Sequence, residues 1–304
     1  MNGHCNVPQK NGPLGNWVLT QRSRYRRGGD EGANRNPLNQ KQIDVLNSIA
    51  FKWTGNMVAI QWDEMFNKLQ HTITGWPGGK PFAEDSNRPE RANPSKKRVL
   101  IFSPHPDDDV ISMGGTFDRL VQQGHEVHIA YQTSGNIAVS DEEALKFAEI
   151  SKEFNTDSKK VNDIIEFIKN KKGNDVVDSL GVRKLKGAIR KSESLGATRY
   201  LSLPDKNVHF LSLPFYETGT IKKENLSQDD ITITKDIIDT IKPHQIYAAG
   251  DLADPHGTHK VCLDILFAAL EEMKSEKEYM KDCWVWLYRG AWHEWDSHEI
   301  EMAV

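Results

Sequence analysis

The chain has 304 residues, a hydrophobic content of 38% and a formal net charge of −4. That length predicts one large or two modest domains, and the slight acidity leaves no basic footprint for nucleic acid. No apolar run reaches the length of a membrane span, the N-terminus lacks a signal-peptide core, and three scattered cysteines (Cys5, Cys262 and Cys283) argue against a disulfide framework, so a cytoplasmic protein is expected.

Residues 1–38 are rich in Gly, Asn, Pro and Arg, with little apolar content, and read as a disordered, solvated tail. Its basic run, Arg22, Arg24, Arg26 and Arg27, is read as solvated rather than as a polyanion contact. Two helical patterns follow within 39–70. Ile43, Leu46, Ile49 and Trp53 share one face; Val58, Trp62, Met65 and Leu69 share another. Residues 71–96 carry Gly75, Pro77, Gly78, Gly79, Pro81, Pro89 and Pro94, which break every period, and read as a linker. An α/β domain is expected over 97–304.

That domain opens with Val99-Leu-Ile-Phe-Ser-Pro-His-Pro-Asp-Asp-Asp109. Val99 to Phe102 predict a buried strand that stops at Pro104. Met113, Phe117, Leu120 and Val121 then predict a helix face ended by Gly124. His105 and three consecutive carboxylates therefore fall in the turn after a strand, where open α/β sheets bind ligands. One aspartate at a helix start would merely cap it. Three repel one another unless a cation neutralises them, and His with Asp is an acceptable ligand set for Zn²⁺.

Glu126–Tyr131 reads as a second strand, which puts His125 and His128 on opposite faces as ordinary strand histidines. Thr133-Ser-Gly-Asn136 follows at its end and is placed to line a site with small polar groups. Residues 141–196 read as a charged helical excursion broken at Gly173 and Gly181. Ile233, Ile237 and Ile241 predict a helix ending before Pro243, and Gln245–Ala249 a short buried strand. Gly250-Asp-Leu-Ala-Asp-Pro-His-Gly-Thr-His259 comes next, then a helix with Cys262, Leu266 and Ala269 on one face. This repeats the strand, polar turn, helix order of the first motif, and two such turns at neighbouring strand ends face one crevice. Cys283–Tyr288 alternates as a strand with its aromatics on one face, followed by Arg289, Trp292, His293, Trp295 and His298. The domain is expected to continue beyond the apolar end of the chain. The fold class expected is a Rossmann-like, mostly parallel sheet with helices on both faces, preceded by a short helical segment.

Ser103-Pro-His-Pro-Asp-Asp-Asp-Val-Ile-Ser-Met-Gly-Gly-Thr116 resembles the signature of the PIG-L/LmbE family of zinc-dependent N-deacetylases. Arg190-Lys-Ser-Glu193 with Leu195-Gly196 and Leu203-Pro-Asp205 resembles a further run of that family, whose arginine faces the substrate. Thr72-Ile-Thr-Gly-Trp-Pro-Gly-Gly-Lys80 resembles the middle of a fusion in which a glucosamine-6-phosphate deaminase-like half precedes an LmbE-like half. The family's second metal motif is His-Pro-Asp-His, its last histidine on the zinc. Here His256-Gly-Thr-His259 keeps the spacing without the central Pro-Asp, so His259 is taken as the ligand while His256 stays open as the alternative.

The resemblance implies hydrolysis of the N-acetyl group of a GlcNAc-type sugar. In that scheme His105, Asp108 and His259 hold Zn²⁺, or another divalent ion, and Asp107 acts as general base. His256 stabilises the oxyanion, Arg190 binds substrate and Asp109 orients the motif from behind. The expected partner is a small amino sugar, with no nucleic acid and no membrane; a homo-oligomer stays open. Deaminase activity inherited from the fusion, and a non-catalytic metal-bound domain that regulates the fusion partner, are the alternatives. A dinucleotide-binding domain is disfavoured, because no Gly-x-Gly-x-x-Gly follows the first strand and acid at the phosphate position is electrostatically wrong.

Overall fold

The computed structural model describes residues 20–21, 38–48, 75–82, 91–154, 158–173, 176–220, 222–250 and 253–290. The chain divides into two units, Met1–Gln70 and His71–Val304. In the first, helix α1 (Gln40–Ser48) carries Ile43 and Leu46 of the first predicted helical pattern, whose Ile49 and Trp53 lie outside the described residues. Asn39 caps it: its Oδ1 accepts from the Gln42 N–H at 2.9 Å, and Gln42 Oε1 accepts from the Asn39 N–H at 3.1 Å. The second predicted pattern and nearly all of the predicted tail lie outside the described residues.

The second unit is built on five parallel strands in the order β3-β2-β1-β4-β5. They are β1 (Arg98–Ser103), β2 (Glu126–Tyr131), β3 (Val208–Phe210), β4 (Gln245–Ala249) and β5 (Trp284–Tyr288). The helices are α2 (Asp108–Gln122), α3 (Asp141–Glu153), α4 (Ser158–Glu166), α5 (Leu180–Tyr200), α6 (Gln228–Ile241) and α7 (Thr258–Lys274). No described helix is long and apolar enough to cross a membrane.

The alternation of side chains along β1 makes the layers. Val99 and Ile101 join Met113, Phe117 and Leu120 of α2 on one face. Leu100 and Phe102 join Ile238 and Ile241 of α6 with Leu263 and Leu266 of α7 on the other. Val99 to Phe102 are all fully buried, which is why the run is continuously apolar. The strand order reverses beside β1: the chain runs outward through β2 and β3, then returns to lay β4 on the opposite side. Ligands bind at such a reversal, outside the carboxyl ends of the strands.

Two sequence expectations need correction. Gly181 does not break the excursion; it is the second residue of α5, which starts behind the Ser179 cap. The stretch 71–96 is not a free linker, because its described parts pack into the α/β unit. Pro77, Gly78 and Gly79 are buried, and Tyr247 of β4 donates its hydroxyl to the Pro77 carbonyl at 3.0 Å. A side chain on Gly78 would strike the His125 ring.

Candidate metal centre and active site

The turn from β1 into α2 holds the acidic motif. The His105 N–H donates to Asp108 Oδ2 at 2.9 Å, and His105 Nδ1 lies 3.2 Å from the same oxygen. Asp107 stands at the helix start, yet its side chain makes no capping bond. Its Oδ2 pairs with Arg190 Nη2 at 2.7 Å instead. Asp109 is fully buried beneath the turn. It accepts from the Tyr131 hydroxyl at 2.8 Å, and Ser103 Oγ bridges its side chain and its N–H. Burial pushes the Asp109 carboxyl up to about 6, against the opposing pull of those hydrogen bonds.

The turn from β4 into α7 supplies the other half. Asp254 holds the open end of the helix: Oδ1 accepts from the His256 N–H at 3.0 Å and Oδ2 from the His259 N–H at 3.2 Å. Gly257 sits between them at φ +69°, a backbone that proline cannot adopt. The missing Pro-Asp at this point is therefore a different turn geometry with the same histidine spacing.

His259 is buried and its Nε2 lies 3.3 Å from Asp108 Oδ2, the oxygen that also faces His105. The two imidazole centres are 5.3 Å apart. The ligand atoms of His105, Asp108 and His259 all lie within 4.8 Å of one another. Burial alone would raise the Asp108 carboxyl, but the two histidines hold it below the usual carboxylate range. A tetrahedral zinc with bonds of about 2.1 Å sets its ligand atoms about 3.4 Å apart. The 3.2 and 3.3 Å separations in this His₂Asp set fit that requirement.

Of the other predicted residues, Asp107 borders the cluster and Asp109 backs it. Arg190, expected to face substrate, is paired with Asp107 and, at 3.5 Å, with Glu193. His256 is exposed and stands outside the three-residue cluster. His125 and His128 are elsewhere: His125 Nδ1 accepts from the Lys97 N–H at 3.1 Å, and His128 stacks on His209 of β3. Trp292, His293, Trp295 and His298 lie outside the described residues.

Sequence reasoning missed several contributors. Asp254 carried a signal, an acid just before a helix. Tyr216, whose ring meets His105 edge-on at 5.9 Å, comes from an aperiodic segment and carried none. Glu217 likewise braces the turn after β2, accepting from the Ser134 N–H at 3.2 Å and Asn136 Nδ2 at 3.3 Å. Gly135, at φ +62°, lets that turn pass Pro106, whose Cδ would lie 2.8 Å from any Cβ.

The family model described as PIG-L, GlcNAc-PI de-N-acetylase, matches residues 100–270, more than half of the chain and both motif turns. The chain belongs to the PIG-L family. A second model, described as helicase associated domain, matches residues 1–54, which include the stretch 1–38 read as a tail. A "putative glucosamine-6-phosphate deaminase-like protein" of Bacteroides thetaiotaomicron is 56% identical over 251 residues. That match covers 79% of this chain, which spans only 38% of the relative's length. Among solved structures, the PIG-L chain is similar to N,N'-diacetylchitobiose deacetylase from Pyrococcus horikoshii (18% identity, 72% of this chain and 62% of that one, TM-score 0.41). It is also similar to the 4-carboxy-2-hydroxymuconate hydratase GalB of Pseudomonas putida (19%, 58% and 56%, TM-score 0.36). A third is a deacetylase of the teicoplanin biosynthesis pathway (19%, 64% and 67%, TM-score 0.37).

Proposed function

We propose that the chain hydrolyses the N-acetyl group of a GlcNAc-type amino sugar, releasing acetate and the free amine. The divalent metal is zinc, held by His105, Asp108 and His259. The observation that carries this reading is the convergence of two turns, distant in sequence, on one His₂Asp cluster at the reversal of the sheet. When bound, the metal supplies a Lewis acid for the acetamide carbonyl and lowers the pKa of water. The protein does the rest. Asp107, adjacent to a ligand but outside the cluster, takes the proton of the attacking water on Oδ1 and delivers it to the departing nitrogen. Arg190 holds Oδ2 and so fixes the direction in which Oδ1 points. Asp109, tied to Ser103 and Tyr131, keeps the start of α2 in place. His256 is the oxyanion donor in this reading.

Chelation followed by return of Zn²⁺ should abolish and then restore acetate release from N-acetylglucosamine. Asp107→Asn should lower kcat by about 10²–10⁴-fold, the usual contribution of a general base. Activity indifferent to both treatments would refute the mechanism. The name of the 56% identical relative supports a second reading, deamination of glucosamine 6-phosphate; its product is ammonia, so measuring acetate and ammonia together separates the two. Metal bound without either product would favour the non-catalytic domain.

A further inference from the structure

Beside the cluster stands a cation that the scheme above does not use. Tyr216 is buried, packed with Phe215 and Ile231 against Cys262 and Ile265 of α7, so its ring is fixed beside His105. Lys223 Nζ stands 4.0 Å from the centre of that ring. The Glu224 N–H donates to the Phe215 carbonyl at 3.0 Å, which ties the lysine's backbone to that of the tyrosine. Ammonium and imidazole thus both border the Tyr216 ring, which links Lys223 to the cluster.

The acids around Lys223 are engaged elsewhere. Both Glu217 oxygens hold the turn after β2, and both Asp254 oxygens hold the start of α7. Among the described residues Lys223 forms no ion pair; its hydrogen bond is to the Thr220 carbonyl, at 3.3 Å. Burial pushes the Lys223 ammonium's pKa down, and the negative fields of Glu217 and Asp254 pull the other way. A half-buried cation with no carboxylate partner is costly, and an aromatic face compensates in part. An anion on a bound ligand would complete it.

We propose, resting on the deacetylase reading above, that Lys223 recognises an anionic substituent, a phosphate or a carboxylate, on the amino sugar whose acetamide lies at the His105–Asp108–His259 cluster. The alternative is a lysine that only braces its loop against Tyr216. The two differ in what they do to substrate preference.

The test uses the full chain loaded with Zn²⁺. Acetate release is measured on N-acetylglucosamine, N-acetylglucosamine 6-phosphate and N-acetylmuramic acid; calorimetry gives the affinity for glucosamine and glucosamine 6-phosphate. The wild type should favour one of the two anionic substrates over the neutral sugar in kcat/KM, and the favoured one identifies the anion. Lys223→Met should reduce that preference by about tenfold or more, the scale of a lost charge-assisted hydrogen bond, and Lys223→Arg should keep most of it. A wild type that favours the neutral sugar, or a preference unchanged in Lys223→Met, would overturn the proposal. If no acetate appears from any substrate, the deacetylase reading fails by itself. Calorimetry still decides on Lys223, which stands only if a preference for the sugar phosphate is lost in Lys223→Met.

Discussion

At the scale of single residues, the members of the candidate His105–Asp108–His259 cluster were named from the sequence, but the pairings around it were not. Residue types and the repeated order of strand, turn and helix pointed to both turns, while the choice of His259 over His256 came from the family resemblance, and the cluster contains His259. Arg190 shows the limit. The family resemblance pointed to substrate, and the fold adds a partner, Asp107, which belongs to a different element. A salt bridge between distant segments leaves no local pattern. The pairing makes a kinetic prediction. If Arg190 fixes the orientation of Asp107, Arg190→Met should lower kcat by about 10–100-fold, as a misdirected catalytic group does, and leave KM within about twofold. If it binds substrate instead, KM should rise while kcat holds. Steady-state kinetics on one acetylated sugar separate the two outcomes.

Among the elements, four of the five strands were legible, whereas the short edge strand β3 (Val208–Phe210) was not read from the sequence. β2 and β4 have the bounds that their sequences suggested, and β1 exceeds the predicted run by one residue at each end. The excursion 141–196 was legible as helical and charged, but not what its charges do. Lys172 and Lys186 both reach Asp141 and Asp178, at 2.5 to 2.9 Å, and so tie the start of α3 to α5 and the segment before it. Lys186 is buried. Burial raises the Asp141 carboxyl, but hydrogen bonds and charge from the two lysines outweigh it and hold the group below its ordinary value. A carboxyl depressed in the folded state contributes stability that is complete above its unfolded pKa of about 4 and is lost as pH falls through the folded value. Wild type should therefore melt higher than Asp141→Asn at pH 7, and the gap should narrow below about pH 4. A gap that stays constant across that range would mean that the network does not act through ionised Asp141.

For the molecule as a whole, the position of the site follows from topology. Among the described residues, only at the reversal between β1 and β4 do two neighbouring strand ends lie side by side without a direct crossover between them, and the two polar turns follow those ends. That much was legible from the repeated order of strand, turn and helix. The boundary of the α/β unit was not, because a stretch rich in glycine and proline has the composition of a linker whether or not it packs. What separates the two cases is backbone geometry. Gly79 has φ +82°, and a Cβ there would lie 1.9 Å from the Arg91 carbonyl oxygen, so this turn is pressed against buried backbone and only glycine fits. Gly79→Ala should then cost on the order of 3 kcal/mol, the scale of a forced left-handed residue combined with a backbone clash. By the same argument a chain of residues 71–304 should unfold in one cooperative transition, whereas one starting at Lys97 should melt lower, because Tyr247 and His125 lose the segment that covers them. Thermal denaturation of the two truncations beside Gly79→Ala tests this. Equal melting temperatures for 71–304 and 97–304, together with a silent Gly79→Ala, would return the segment to the status of a tether.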